Sequence, residues 1–217
     1  RISDWSSDVC SSDLQNFPDS ELSDLRRQLG ISSDDFVISF FGRINKNKGI
    51  KELLEAFLLL PEGVNVKLLV VGSSIFGQTK LDVFTTELRQ LSEQESDNIV
   101  FTGYIDYSDI PRYHRISDCI VIPSVWEEPA GLTVCEALIS GNSVITTNVG
   151  GIPEIVTGSE AIMVKNDKDI VVHLKEALMS VYKKGNHQPV DIRNRARGLH
   201  FSIEKYGEGL RNKLISK

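Results

Sequence analysis

The chain has 217 residues, of which 41% are apolar and 25% charged, and a formal net charge of −6. This is the composition of a soluble globular protein, with room for one domain of ordinary size plus extensions. The acidic balance excludes general nucleic-acid binding, which needs a basic face, and no apolar run approaches the roughly 20 residues that span a bilayer.

No apolar segment near the start reads as a signal peptide. The three cysteines, Cys10, Cys119 and Cys135, are odd in number and lack metal-ligand spacing, so they read as reduced thiols of a cytoplasmic protein. Cys119 and Cys135 lie in apolar surroundings and are expected in the core. Residues 1–14 are rich in Ser and Asp without a useful period and resemble a translated sequencing-adapter read-through. They are read as a non-native or disordered leader and set aside, with Trp5 and Cys10 among them.

From there apolar runs and helical patterns alternate. Residues 18–29 predict a short helix with Leu22, Leu25 and Leu29 on one face, Asp19 or Ser20 as its cap and Gly30 as its end. Residues 36–41 form a continuous apolar strand closed by Gly42-Arg43, and 50–60 a helix with apolar residues at Ile50, Leu53, Leu54, Phe57 and Leu58, stopped by Pro61. Strands follow at 66–71, ending at Gly72, at 99–101 before Gly103, at 119–122, at 143–147 and at 161–164. Helices are predicted at about 80–94, from Asp109-Ile110-Pro111, from Gly131 to Gly141, from Gly150-Gly151-Ile152-Pro153, near 167–183 and near 202–214. Continuous apolar strands alternating with helices predict an α/β fold, a single Rossmann-like domain whose parallel sheet is covered by helices on both faces.

Two stretches sit where a strand ends and a helix begins, the place where open α/β sheets bind phosphorylated ligands. In the first, Gly42-Arg43-Ile44-Asn45-Lys46-Asn47-Lys48-Gly49, Gly42 permits a close turn, Arg43 offers a planar fork for phosphate oxygens and Lys48 a point charge. Its spacing is not that of a Walker loop. In the second, Glu128-Pro129-Ala130-Gly131-Leu132-Thr133-Val134-Cys135-Glu136, a helix start at Gly131 leaves the N–H groups of Gly131, Leu132 and Thr133 unpaired and turned toward an anion such as a diphosphate. Glu136 follows one and a half turns in, within reach of a neighbouring hydroxyl.

Taken in order, Gly42-Arg43…Lys48-Gly49, Phe101-Thr102-Gly103-Tyr104, Glu128…Glu136 and Gly150-Gly151-Ile152-Pro153-Glu154 resemble the C-terminal, nucleotide-sugar-binding half of retaining glycosyltransferases of family 4, with the two-domain GT-B architecture. The resemblance covers roughly residues 20–217. It implies that Arg43 and Lys48 bind the donor diphosphate and stabilise the leaving charge, with Gly42 shaping their loop. It puts the backbone of Gly131, Leu132 and Thr133 on the phosphates, Glu136 on the ribose hydroxyls, and Tyr104 and Ile105 beside the nucleobase. Glu128 would contact the transferred sugar or stabilise charge near the anomeric carbon, and Gly72 would line the same crevice.

The donor implied is a UDP- or GDP-linked sugar, with no metal and no other cofactor, because Arg and Lys supply the charge that a diphosphate leaving group needs. The implied process is the building of bacterial surface polysaccharide or lipopolysaccharide, in the cytoplasm or at the inner face of the membrane, on an acceptor glycan or lipid-linked glycan. The acceptor site would belong to an N-terminal domain missing from this chain, so the fragment alone is expected to be inactive. Residues 201–217 would pack toward that domain, leaving Leu210, Leu214 and Ile215 partly exposed. Ala130 stands where an aromatic is frequent in the family, and Thr133 where an apolar residue is common.

A hydrolytic acid/base pair is a poorer reading of Glu128 and Glu136, since Glu136 sits inside a helix that starts on phosphates. A sugar-nucleotide epimerase of GT-B architecture and a non-catalytic nucleotide-sugar-binding module are the alternatives. His114, His173, His187 and His200 have no ligand spacing and are read as core or surface residues. Glu154 is read as a first-turn acid, and Trp126 as bracing its loop or packing on the sugar.

Overall fold

Six apolar runs become six strands, the central ones buried on both faces and the two at the sheet's edges only in part, with helices packed over the sheet. The computed structural model describes residues 17–74, 82–95, 97–129 and 131–185. In chain order these contain α1 (Asp19–Gln28), β1 (Phe36–Phe41), α2 (Ile50–Leu58), β2 (Val66–Val71), α3 (Val83–Ser92), β3 (Ile99–Gly103), α4 (Ile110–Arg115), β4 (Cys119–Ile122), α5 (Leu132–Ser140), β5 (Ser143–Thr147), α6 (Ile152–Val156), β6 (Ile162–Val164) and α7 (Ile170–Lys184). All neighbouring strands pair in parallel, in the order β3-β2-β1-β4-β5-β6. This is the expected doubly covered Rossmann-like sheet.

The period-2 alternation of the strands sorts their side chains into two apolar layers. Phe36, Ile38, Phe40, Leu68, Val70, Cys119, Val121 and Ile145 pack under α2, α3 and α7. Val37, Phe41, Leu69, Val71, Ile120, Ile122 and Val144 pack under α1, α4, α5 and α6. Cys119 and Cys135 are both buried, as expected, and burial pushes the Cys119 thiol well above its ordinary range. His114 is a core residue: it is 3% exposed and stacks on Phe41 with 4.1 Å between ring centroids. Burial pushes its imidazole down to about 3, so it stays neutral at physiological pH.

Three local expectations need correction. The α1 helix is not capped by Asp19 or Ser20; it starts after Pro18, whose carbonyl accepts the N–H groups of Glu21 and Leu22 at 2.9 and 3.3 Å, and no side chain caps it. Proline presets the backbone for a helix start, which leaves Asp19 in the first turn, where it complements the dipole. The α2 helix ends at Leu58, two residues earlier than expected, because Pro61 disfavours helical backbone at the residue before it. The helix expected at about 80–94 begins at Val83, capped by Asp82, which accepts the Thr85 N–H at 2.7 Å. The leader with Trp5 and Cys10, His187, His200, and the closing helix with Leu210, Leu214 and Ile215 lie outside the described residues. No helix among the described residues is long and apolar enough to cross a membrane.

Candidate functional site

The strand order fixes where a ligand can sit. The chain builds outward from β1 through β2 to β3, then returns to the other side of β1 to lay down β4, β5 and β6. The crossover lies between β1 and β4, so the loops leaving their carboxyl ends diverge around a crevice. Those two loops carry the two stretches singled out in the sequence, Gly42–Gly49 after β1 and 123–131 after β4.

The loops are locked together. The Val125 N–H donates to the Asn47 carbonyl at 3.0 Å. Gly49 has φ 68°, and a Cβ there would lie 1.8 Å from the Pro123 carbonyl oxygen, so only glycine lets the start of α2 meet the end of β4 this closely. Lys48, the residue before it, is thereby aimed across the crevice, and its Nζ forms an ion pair with Glu128 Oε1. Both side chains are largely shielded, 28% and 13% exposed, which makes this pair less screened than a surface one.

A third loop braces Glu128 from the far side. The Gly151 N–H donates to the Glu128 carbonyl at 2.8 Å and the Gly150 N–H to Glu127 Oε2 at 2.7 Å. A Cβ on Gly150, at φ 53°, would lie 2.3 Å from the Glu128 carbonyl oxygen. The Gly150-Gly151-Ile152-Pro153 turn therefore serves to clamp the Glu128 loop as well as to start α6. Glu154 lies in the first turn of that helix, as expected.

The other predicted residues line the same edge. Gly42 and Gly72 end β1 and β2, with the Gly42 N–H donating to the Val71 carbonyl at 3.1 Å and the Gly72 N–H to the Gly103 carbonyl at 3.2 Å. Arg43 is exposed beside them. Tyr104 is partly buried after the Gly103 turn, and Ile105 packs onto the apolar layer under α1, α4 and α5. Gly131 is the left-handed residue before α5 and its carbonyl accepts the Val134 and Cys135 N–H groups at 2.8 and 3.3 Å. Among the described residues, the N–H groups of Leu132 and Thr133 meet no acceptor. Leu132 is 53% exposed and Thr133 partly buried. Ala130 lies outside the described residues. Glu136 is partly buried in the second turn of α5, and burial pushes its carboxyl up to about 7. Trp126 is 54% exposed, so it does not brace its loop by burial.

Sequence reasoning missed Ser124. It is fully buried, and its hydroxyl donates to Glu128 Oε1 at 3.1 Å, the oxygen that Lys48 also holds. The signal was a polar residue directly after Pro123 at the end of an apolar strand, four positions before Glu128. It missed Glu127 as a partner of Gly150 because that bond spans 23 positions, whereas the Ser124–Glu128 bond spans only four but lies in an irregular loop with no repeating pattern.

Chemically, the edge offers a fixed cation and an ion-paired carboxylate in the crevice, an exposed guanidinium at its rim and unpaired helix N–H donors facing it. Such a set suits a ligand with a strongly anionic centre flanked by hydroxyl-bearing groups. Known proteins resemble the chain along most of its length. It is 31% identical over 166 residues to spore coat protein SA of Bacillus subtilis, covering 74% of this chain and 44% of that protein. It is 29% identical over 184 residues to the lipopolysaccharide 1,2-N-acetylglucosaminetransferase of Salmonella typhimurium, covering 82% of this chain and 47% of that protein. The chain thus spans about half the length of these curated relatives. Among solved structures, Anabaena HepE in complex with UDP-glucose superposes with a TM-score of 0.73 at 23% identity, over 94% of this chain and 55% of that one. That fold is the GT-B fold, of which the described sheet is one Rossmann-like half. With the model of glycosyl transferases group 1 matching residues 23–198, the chain belongs to that family.

Proposed function

We propose that this chain is the donor-binding half of a retaining glycosyltransferase that transfers a sugar from a nucleotide-diphosphate sugar. The observation that carries the reading is the pairing of Lys48 with Glu128 across the β1/β4 crevice, 80 residues apart in sequence. It brings a phosphate-binding cation and a sugar-facing carboxylate to one point.

In this reading the diphosphate lies over the start of α5, where the N–H groups of Leu132 and Thr133 and the helix dipole meet its oxygens. Lys48 has three N–H donors; one is spent on Glu128, and the others are free to reach the diphosphate. Arg43 closes on it from the rim. Each charge-assisted bond of this kind contributes about 1.5–3 kcal/mol, more where it strengthens as the leaving charge develops. Glu136 takes the ribose hydroxyls. Tyr104 and Ile105 line the nucleobase end, with Gly42 and Gly72 keeping the floor low. Glu128 faces the sugar near the anomeric carbon.

The donor is a UDP- or GDP-linked sugar, a reading supported by HepE, whose crystal contains UDP-glucose. The likeness to a lipopolysaccharide N-acetylglucosaminetransferase supports a role in surface polysaccharide or lipopolysaccharide assembly. The acceptor, a glycan or lipid-linked glycan, would sit on a second Rossmann-like domain, and transfer would need both.

Calorimetric titration of the chain with UDP-glucose and with GDP-mannose tests this. One of them is expected to bind, and Arg43→Ala to weaken it about tenfold or more. Failure of both to bind the wild type would overturn this reading in favour of a module that keeps only the fold. For the full-length enzyme, the anomeric configuration of the product, read by proton NMR, distinguishes retention from inversion.

A further inference from the structure

We infer that Ser124 is a positioning residue for Glu128, anchored through Thr147 to the sheet, and that it sets the part of donor affinity that comes from the sugar. The inference rests on the donor-site reading above.

A glutamate on a loop has three side-chain torsions to fix, and one ion pair to a flexible lysine fixes them poorly. Here a second donor acts on the same atom. Lys48 Nζ, from the loop after β1, and Ser124 Oγ, from the end of β4, both meet Glu128 Oε1. The two donors come from different loops, so together they set the rotation of the carboxylate as well as its position. Among the described residues Oε2 has no partner. The carboxylate is therefore presented with one oxygen pinned and the other available to a sugar hydroxyl or to charge at the anomeric carbon.

The anchor behind Ser124 is part of the sheet. The Thr147 hydroxyl donates to the Ser124 carbonyl at 2.6 Å, and the preceding Thr146 hydroxyl donates to the Ile122 carbonyl at 3.0 Å. Ser124, Thr146 and Thr147 are all fully buried, so these bonds carry no competition from water. Two hydroxyls at the end of β5 thus extend the β4–β5 pairing past the last strand residue and hold Ser124 where its own hydroxyl can reach Glu128. This gives buried polar residues at the end of an apolar strand a purpose that packing does not, since serine and threonine add unsatisfied donors unless each has a partner.

The effect should be confined to the sugar. The diphosphate and nucleoside sites rest on Arg43, Lys48, the start of α5 and Glu136, none of which bonds to Ser124.

The test compares Ser124→Ala with wild type by calorimetry, using whichever of UDP-glucose and GDP-mannose the chain binds and, in parallel, the matching UDP or GDP. Loss of one buried hydroxyl–carboxylate bond should lower affinity for the nucleotide sugar about fivefold, while affinity for the bare nucleotide stays within about twofold. In a Glu128→Ala background, adding Ser124→Ala should cost nothing further, because the serine acts only through the carboxylate. Equal losses for sugar-bearing and bare nucleotide, no loss in either, or additive losses in the double variant would each overturn the inference while leaving the donor site standing. Absence of any binding by the wild type overturns both.

Discussion

The two ends of the central strands handle polarity in opposite ways. At the amino ends, charges are spent on the protein's own backbone. The Asp118 carboxylate accepts the Val37 N–H at 2.7 Å, and the Asp35 carboxylate accepts the Ser32 N–H at 2.7 Å. The Arg26 guanidinium donates to the carbonyls of Ile116, Ser32 and Asp35 at 3.1, 2.6 and 2.9 Å. These bonds tie α1 and the two strand entries into one knot with its charges turned inward. At the carboxyl ends, Arg43 is exposed, Lys48 has N–H groups beyond the one on Glu128, and α5 opens on donors without acceptors among the described residues. A fold has no reason to hold surplus donors at one edge unless something arrives to use them. The amino end is built for stability, and the carboxyl end is where the proposed donor would bind.

The sharpest way to break the contrast is to push on the contact that aligns the carboxyl-end loops. Gly49→Ala places a methyl 1.8 Å from the Pro123 carbonyl oxygen, on backbone with φ 68°. Backbone cannot yield as a flexible side chain can, so the variant should lose about 3 kcal/mol or more of unfolding free energy and its nucleotide-sugar binding together. Gly63→Ala is the control. Its φ is 83° and an added Cβ meets nothing within 4 Å, so only conformational strain of about 1–2 kcal/mol remains, and binding should survive. Urea denaturation of both variants checks the difference. Equal losses at the two positions would mean that left-handed strain accounts for everything and the Pro123 contact for nothing.

A smaller effect separates the two arginines. Arg26→Ala removes three bonds to carbonyls, two of them in partly buried surroundings, and should cost about 2 kcal/mol of stability while leaving donor affinity unchanged. Arg43→Ala should do the reverse: stability within about 0.5 kcal/mol of wild type, with donor affinity reduced as above. The pair sharpens the comparison because residue type and net charge change are identical, and only the end of the sheet differs. A fall in stability for Arg43→Ala matching that for Arg26→Ala would show that the carboxyl-end charge is structural too.

Much of this architecture is legible in the sequence, and the boundary of legibility has a physical cause. Phe36–Phe41, Val66–Val71 and Cys119–Ile122 announce buried strands because full burial on both faces demands unbroken apolar runs. The positions of Arg43, Lys48 and Glu128 beyond strand ends, and of Glu136 in the helix that follows, follow from the same runs. Strand order does not. That β1 lies beside β4 decides that Lys48 meets Glu128, and no local pattern encodes it. The Thr147 bond that anchors Ser124, the Gly150 contact and the Asn47–Val125 bond are invisible for the same reason. The sequence leaves His114 between core and surface because its place depends on Phe41, 73 positions earlier, arriving under it. The start of α1 is set by Pro18, which fixes its own backbone, rather than by the polar side chains of Asp19 or Ser20 beside it.

The smallest expected effect concerns protons at the ligand end. Burial raises the Glu136 carboxyl to about 7 from the ordinary 4.5, so near neutrality it exchanges between a neutral and a charged form. Ribose hydroxyls donate to the charged form more strongly, so a bound nucleotide favours deprotonation and pulls this value down. The sign follows: affinity is highest above pH 7, where the carboxylate is already ionised, and falls as pH drops through 7, because binding must then release a proton. The change should be about threefold between pH 8 and pH 6, since one neutral-to-charged bond exchange contributes about 0.5–1 kcal/mol. A nucleotide sugar is the right probe, because its diphosphate bears no proton that titrates near neutrality and bare UDP does. Isothermal titration of wild type and Glu136→Gln over this range measures it, and the variant should show a flat profile with the weaker, low-pH affinity throughout. A wild-type profile that is equally flat would mean that the ribose lies elsewhere on the edge, and that the buried Glu136 carboxyl serves the packing of α5 instead.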